Sequence, residues 1–145
     1  MPVTDQQVAT LRAQLAGNLE EHKRLLKQLD RRADGLGYGA MVTGAFFEAV
    51  DRRFAKDTTR DDVIEFVADV RSRTEDVRDA LDPGVAERVL LAALEQADIG
   101  DLDAEPARRS QTYLLAAMVV DEQFDDAALD EFMARARTVA NSLLG

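Results

Sequence analysis

Four sets of side chains are typed and spaced in ways that could do chemistry. The single histidine, His22, follows Asn18 by four residues in a leucine-rich stretch. An imidazole can serve as general base, metal ligand or pH switch, because it titrates near neutrality. Three acidic clusters come next: Asp57/Asp61/Asp62/Glu65, Asp98/Asp101/Asp103/Glu105 and Asp121/Glu122/Asp125/Asp126. Carboxylates so grouped could supply the oxygen ligands that Ca²⁺ or Mg²⁺ takes. Gly35-Leu36-Gly37-Tyr38-Gly39 is rich enough in glycine to wrap a phosphate. Arginine pairs at 31–32, 52–53 and 108–109, with Arg71, Arg73 and Arg78, could hold an acidic partner or a nucleotide phosphate.

Each set also has a plainer reading. His22 and Asn18 fall on the seam of a heptad pattern, where polar residues set register and oligomeric state. One histidine excludes the paired Glu-x-x-His di-iron arrangement. The acidic clusters sit where helices begin, so their carboxylates can cap free amides and offset the positive helix end. An EF-hand loop does not fit the third cluster: the twelfth position counted from Asp121 is Phe132, where a bidentate Glu is needed, and the central Gly is missing. The glycine run has no Gly-Lys-Ser/Thr after it and reads as an interhelical loop. The arginines have carboxylates at helical spacing, as in Asp69 with Arg73. A helix-turn-helix reading of residues 61–94 fails, because the segment after Asp82-Pro83-Gly84 offers only Arg88 to a groove.

Composition narrows the classes further. The chain has 145 residues, no Cys and no Trp. Disulfides, thiolate metal sites and thiol catalysis are therefore absent. No nucleophile–base–acid triad can be assembled from the sequence, so no catalytic residue is assigned and no cofactor is implied. A net charge of −10 argues against nucleic acid and membrane surfaces as generic partners. The first residues lack the basic and apolar regions of a signal peptide, and the longest apolar run, Leu114 to Val120, is far too short to span a bilayer. The expected compartment is the cytoplasm.

These side chains need elements to place them, and the periodicity is helical throughout. Thr4 or Asp5 caps a first amphipathic helix in which Val8, Leu11, Leu15, Leu19, Leu25, Leu26 and Leu29 recur at threes and fours to about Arg32. At 1.5 Å per residue this helix would be roughly 40 Å long. The glycine run should end it, since three glycines in five residues disfavour helix. Ala40–Phe54 reads as a second helix, Thr59 with Asp62 starts a third that runs to about Leu81 unless Ser72 to Asp76 breaks it, and Asp82-Pro83 opens a fourth. A fifth runs from Asp103 or Pro106 through Val120. Asp125 or Asp126 caps a sixth with Leu129, Phe132, Met133, Ala136, Val139, Ala140 and Leu143 inward. No segment alternates with period two. The expectation is one all-α domain of about six helices: residues 1–34 as a long N-terminal helix and possible association arm, residues 35–145 as a compact bundle.

Several stretches, Phe46-Phe47 through Phe54, Asp62-Val63-Ile64-Glu65-Phe66-Val67-Ala68-Asp69-Val70-Arg71, Leu81-Asp82-Pro83 to Leu94, and Leu114-Leu115-Ala116-Ala117 to Asp130, make the chain similar to small, uncharacterised helical proteins of GC-rich actinobacteria. The resemblance implies a helical fold and carries no activity. The turn inside Val119 to Phe132 also resembles the acidic interhelical turn of tellurite-resistance-type helical domains, a likeness of one turn that brings no metal binding with it. The leading expectation is a cytoplasmic helical interaction or regulatory protein, with a protein partner or a second copy as homodimer. Its surface would be Leu11, Leu15, Asn18, Leu19, His22 and Leu26. The alternative is a divalent-metal or small-ligand binder using Asp121, Glu122, Asp125 and Asp126. An enzyme built on an Arg–carboxylate pocket ranks last.

Overall fold

A computed structural model describes residues 2–98 and 100–145. Among the described residues the chain is all-helical, with eight α-helices and no strand. They are α1 (Asp5–Leu15), α2 (Leu19–Gln28), α3 (Arg31–Arg53), α4 (Arg60–Arg71), α5 (Glu75–Ala80), α6 (Pro83–Ala93), α7 (Ala104–Glu122) and α8 (Asp126–Leu144).

The expected long N-terminal helix is two helices. Gly17, at φ +80°, takes the left-handed conformation that side-chain-bearing residues avoid. The Gly17 amide donates to the Gln14 carbonyl at 3.1 Å and the Asn18 amide to that of Ala13 at 2.9 Å. This is the Schellman closure of a helix end. Asn18 then caps α2, its side chain accepting from the Glu21 amide at 3.2 Å. One residue thus finishes α1 and the next begins α2.

The glycine run, expected as a loop, lies inside α3. The break falls instead at Leu29, whose backbone is extended. Asp30 caps the new helix by accepting from the Arg32 amide at 2.8 Å. A cap, and packing at two of its glycines, outweigh a helix penalty of roughly 1 kcal/mol per Gly. Gly37 lies against the buried Gln7 side chain. A Cβ placed at Gly44 would stand 2.6 Å from the Ala136 carbonyl oxygen and 2.8 Å from the Ala140 amide nitrogen, so α3 and α8 cross there with backbones nearly touching. The expected third helix is likewise two, since Ser72 closes α4 and Thr74 caps α5.

Other boundary signals hold. Thr4 and Gln7 form a reciprocal capping box on α1, and Thr59 and Asp62 form one on α4. Asp82 caps α6 with Pro83 in its first turn, and Asp125 caps α8. Asp69 pairs with Arg73 at 2.8 Å.

The chain divides into two compact units, one comprising the residues up to Glu48 with Val119–Gly145, the other Ala49–Met118. In the first unit α1 packs against α2 and α8. Its buried side chains include Val3, Leu11, Met41, Phe46, Leu129, Phe132 and Met133. In the second, α4 packs against α5 and α6, and Val63, Phe66, Val67, Val70, Leu81, Leu90 and Leu114 are buried. Leu143, expected inward, is exposed on the last turn of α8.

Candidate functional site

The first unit carries an uncovered apolar face, and its construction starts at the α1–α2 corner. Leu11 faces into the core at 1 % exposure, so it is no partner-binding residue. Helical periodicity alone cannot tell a core stripe from a docking stripe, and Leu11 belongs to the former. Leu15 is half-buried. Asn18 and His22 do not form a seam. Asn18 is spent on the α2 cap, and His22 clasps α2 to α1 through its Nδ1, 2.8 Å from the Thr10 carbonyl oxygen. A carbonyl only accepts, so Nδ1 carries the proton in this contact. Thr10 is itself buried, its hydroxyl donating to the Gln6 carbonyl at 2.7 Å.

Beyond the corner, α2 buries none of its residues. Leu19 is 58 % exposed and Leu26 44 %, and they stand two helical turns apart on the same side. Leu36, on the first turns of α3, is 79 % exposed. Between these helices lies a groove of about 440 Å³ whose walls include Leu26, Leu29, Gly35 and Tyr38. Partial burial pushes the Tyr38 hydroxyl up to about 12.

A polar network fixes the groove wall. Asp34 accepts from the buried Gln7 side-chain amide at 2.9 Å through one oxygen and from the Asp30 amide at 2.8 Å through the other. Gln7 in turn accepts from the Thr4 amide at 3.0 Å. The start of α1 and the start of α3 are therefore tied by one side chain. Gln7 is not among the residues whose type and spacing suggested chemistry, and Tyr38 figures there only within the glycine run. For Gln7 the Thr-x-x-Gln spacing from Thr4 was the available signal.

The acidic clusters are engaged in local structure. In the first, Asp62 is held below the usual carboxylate range by the Thr59 backbone amide and then by its hydroxyl. Asp62, Asp57, Glu65 and Asp69 border a cleft of about 580 Å³ in the second unit, where the Arg53 guanidinium lies 5.1 Å from the Phe54 ring centre and 5.0 Å from that of Phe66. In the second, Asp98 accepts from the Gly100 amide at 2.8 Å, Asp101 pairs with Arg88, and Glu105 pairs with Arg109 at 3.2 Å. In the third, Asp125 caps α8 and Asp126 lies 3.6 Å from Arg12, while Asp121 and Glu122 are also engaged. Among the described residues no group of three or more His, Cys, Asp or Glu side chains is placed to hold a metal ion. No helix among them is long and apolar enough to cross a membrane.

Comparison with protein-family models, with curated proteins and with solved structures gives no match.

Proposed function

We propose that this chain is a helical protein–protein interaction module that acts through α2 and the opening turns of α3. The observation that carries the reading is the exposure of Leu19 and Leu26 on one side of α2, with Leu26 and the half-buried Tyr38 lining the groove beside it. Single surface leucines need no explanation, whereas two on one side of a helix beside a concavity form the kind of patch that partners cover. α2 packs against α1 yet leaves Leu19 and Leu26 exposed, an apolar side open to a second surface. The partner is another protein, or a second copy of the chain. The working set shifts from the sequence-based one: Leu19 and Leu26 remain, Tyr38 joins them, and Asn18 and His22 position the helix.

The test is a photo-crosslinking residue in place of Leu26, with a control in place of the exposed Ser142 on α8, both introduced into the full chain in its producing cell. Discrete adducts at position 26 and none at 142 are expected. Equal labelling at both positions, or none at 26, refutes the reading.

A further inference from the structure

Resting on that interaction reading, we infer that the partner presents an acidic amphipathic helix. At 100° per residue, Lys23 lies about 40° from Leu19 and Lys27 about 80°, while Glu21 lies about 160° away on the opposite side. Glu21 is also neutralised by Arg24, which holds its carboxyl below the ordinary range. Of the other carboxylates of α2 and its junction with α3, Glu20 stands exposed and, among the described residues, without an ion pair about 100° from Leu19, while Asp30 and Asp34 are engaged in local structure. Asp30 caps α3, and both oxygens of Asp34 accept hydrogen bonds. Among the described residues no carboxylate lies within ion-pair distance of Lys23, Lys27, Arg31 or Arg32. Elsewhere among them Arg12, Arg73, Arg88, Arg109, Arg135 and Arg137 each have such a carboxylate, while Arg53, Lys56, Arg60, Arg71 and Arg108 do not, so what distinguishes the four is their grouping beside exposed leucines.

A molecule of net charge −10 thus carries, among its described residues, four cations without an ion pair near its exposed α2 leucines, against one such carboxylate there, Glu20. Complementary charge at an interface rim steers encounter and rejects wrong partners. Two other occupants fit less well. A second copy docked through the same face would bring the same predominantly cationic rim to both sides of the interface. An anionic bilayer is repelled by the rest of the chain and cannot enter a groove of about 440 Å³, whereas a protruding apolar side chain can. The partner helix would lay two apolar residues on Leu19 and Leu26, seat one in the groove beside Tyr38, and flank them with carboxylates.

The experiment titrates the isotope-labelled full chain with a synthetic amphipathic helix bearing leucines flanked by glutamates. Parallel samples receive the same peptide with every glutamate replaced by lysine, or phosphatidylserine vesicles. The acidic peptide is expected to shift backbone resonances within residues 19–38. Its affinity should fall as salt rises and drop about tenfold in Lys23→Glu/Lys27→Glu, which changes only exposed side chains. Equal or tighter binding of the lysine peptide at these residues overturns the acidic partner and leaves the interaction face standing. No shift there with either peptide overturns both. Stronger shifts with vesicles reassign the face to lipid, and shifts that grow with protein concentration alone reassign it to a second copy.

Discussion

At the scale of single residues, glycine substitutions separate backbone geometry from packing. Gly35 and Gly39 have open space where a Cβ would go, and both lie within α3. Replacing either by Ala is expected to raise stability by about 1 kcal/mol, measured by urea unfolding, because Ala loses less backbone entropy in a helix. Gly44→Ala should do the opposite, since its Cβ would meet the α8 backbone and the helix crossing would have to widen. Glu95 makes a complementary case. It sits at φ +62° in the Schellman closure of α6, where its neighbour Gln96 donates to the Leu91 carbonyl at 2.8 Å. Glu95→Gly is expected to stabilise by about 1 kcal/mol by relieving left-handed strain, and a loss in the same unfolding assay would contradict this. Tyr38 adds a pH dependence. Its folded pKa is raised from 10.0 to about 12, so the unfolded chain ionises first as pH rises. Stability should therefore fall between about pH 10 and pH 12, and Tyr38→Phe should reduce that fall relative to the parent chain.

At the scale of elements, the two leucine sets on the N-terminal helices should respond differently. Leu11→Ala empties a fully buried position and is expected to cost about 2–5 kcal/mol, read from the urea midpoint. Leu19 and Leu26 belong to the same periodic series yet stand exposed, because the series is cut at Gly17 and resumes on a helix with a different direction. The helical class, the caps at Thr4, Thr59, Asp82 and Asp125, and the α8 stripe through Leu129, Phe132, Met133, Ala136 and Ala140 were all legible from local signals. Two breaks were not. Gly17-Asn18 is a terminator followed by a cap, and the uninterrupted leucine spacing hid it. Gly35, Gly37 and Gly39 look like a loop because propensity counts glycines, while the Asp30 cap and the Gln7 contact at Gly37 that hold this stretch helical come from elsewhere in the chain. The proposed interaction face depends on those breaks. Its leucines could be read from sequence, whereas the groove and the place of Tyr38 in it could not.

At the scale of the whole molecule, residues 1–34 are no detachable arm. Val3, Gln7, Thr10 and Leu11 are buried, and position 34 lies inside α3. Further ties hold the N-terminus to α8: the Val3 amide donates to Asn141 at 2.8 Å, and Arg137 donates to the Val3 carbonyl and to Asp5. A chain lacking residues 1–34 is expected to lose cooperative unfolding of the first unit, seen as a flattened urea transition by circular dichroism, and not to yield a folded monomer. The account as a whole rests on one claim: the α2–α3 face holds a partner and is not needed to hold the fold. The most direct check is the urea-unfolding stability of Leu19→Gln/Leu26→Gln in dilute solution, a pair of changes that keeps helix propensity nearly constant. The account predicts a loss below about 1 kcal/mol, as at exposed positions. A loss of about 3 kcal/mol or more, of the size expected for buried leucines, would contradict it.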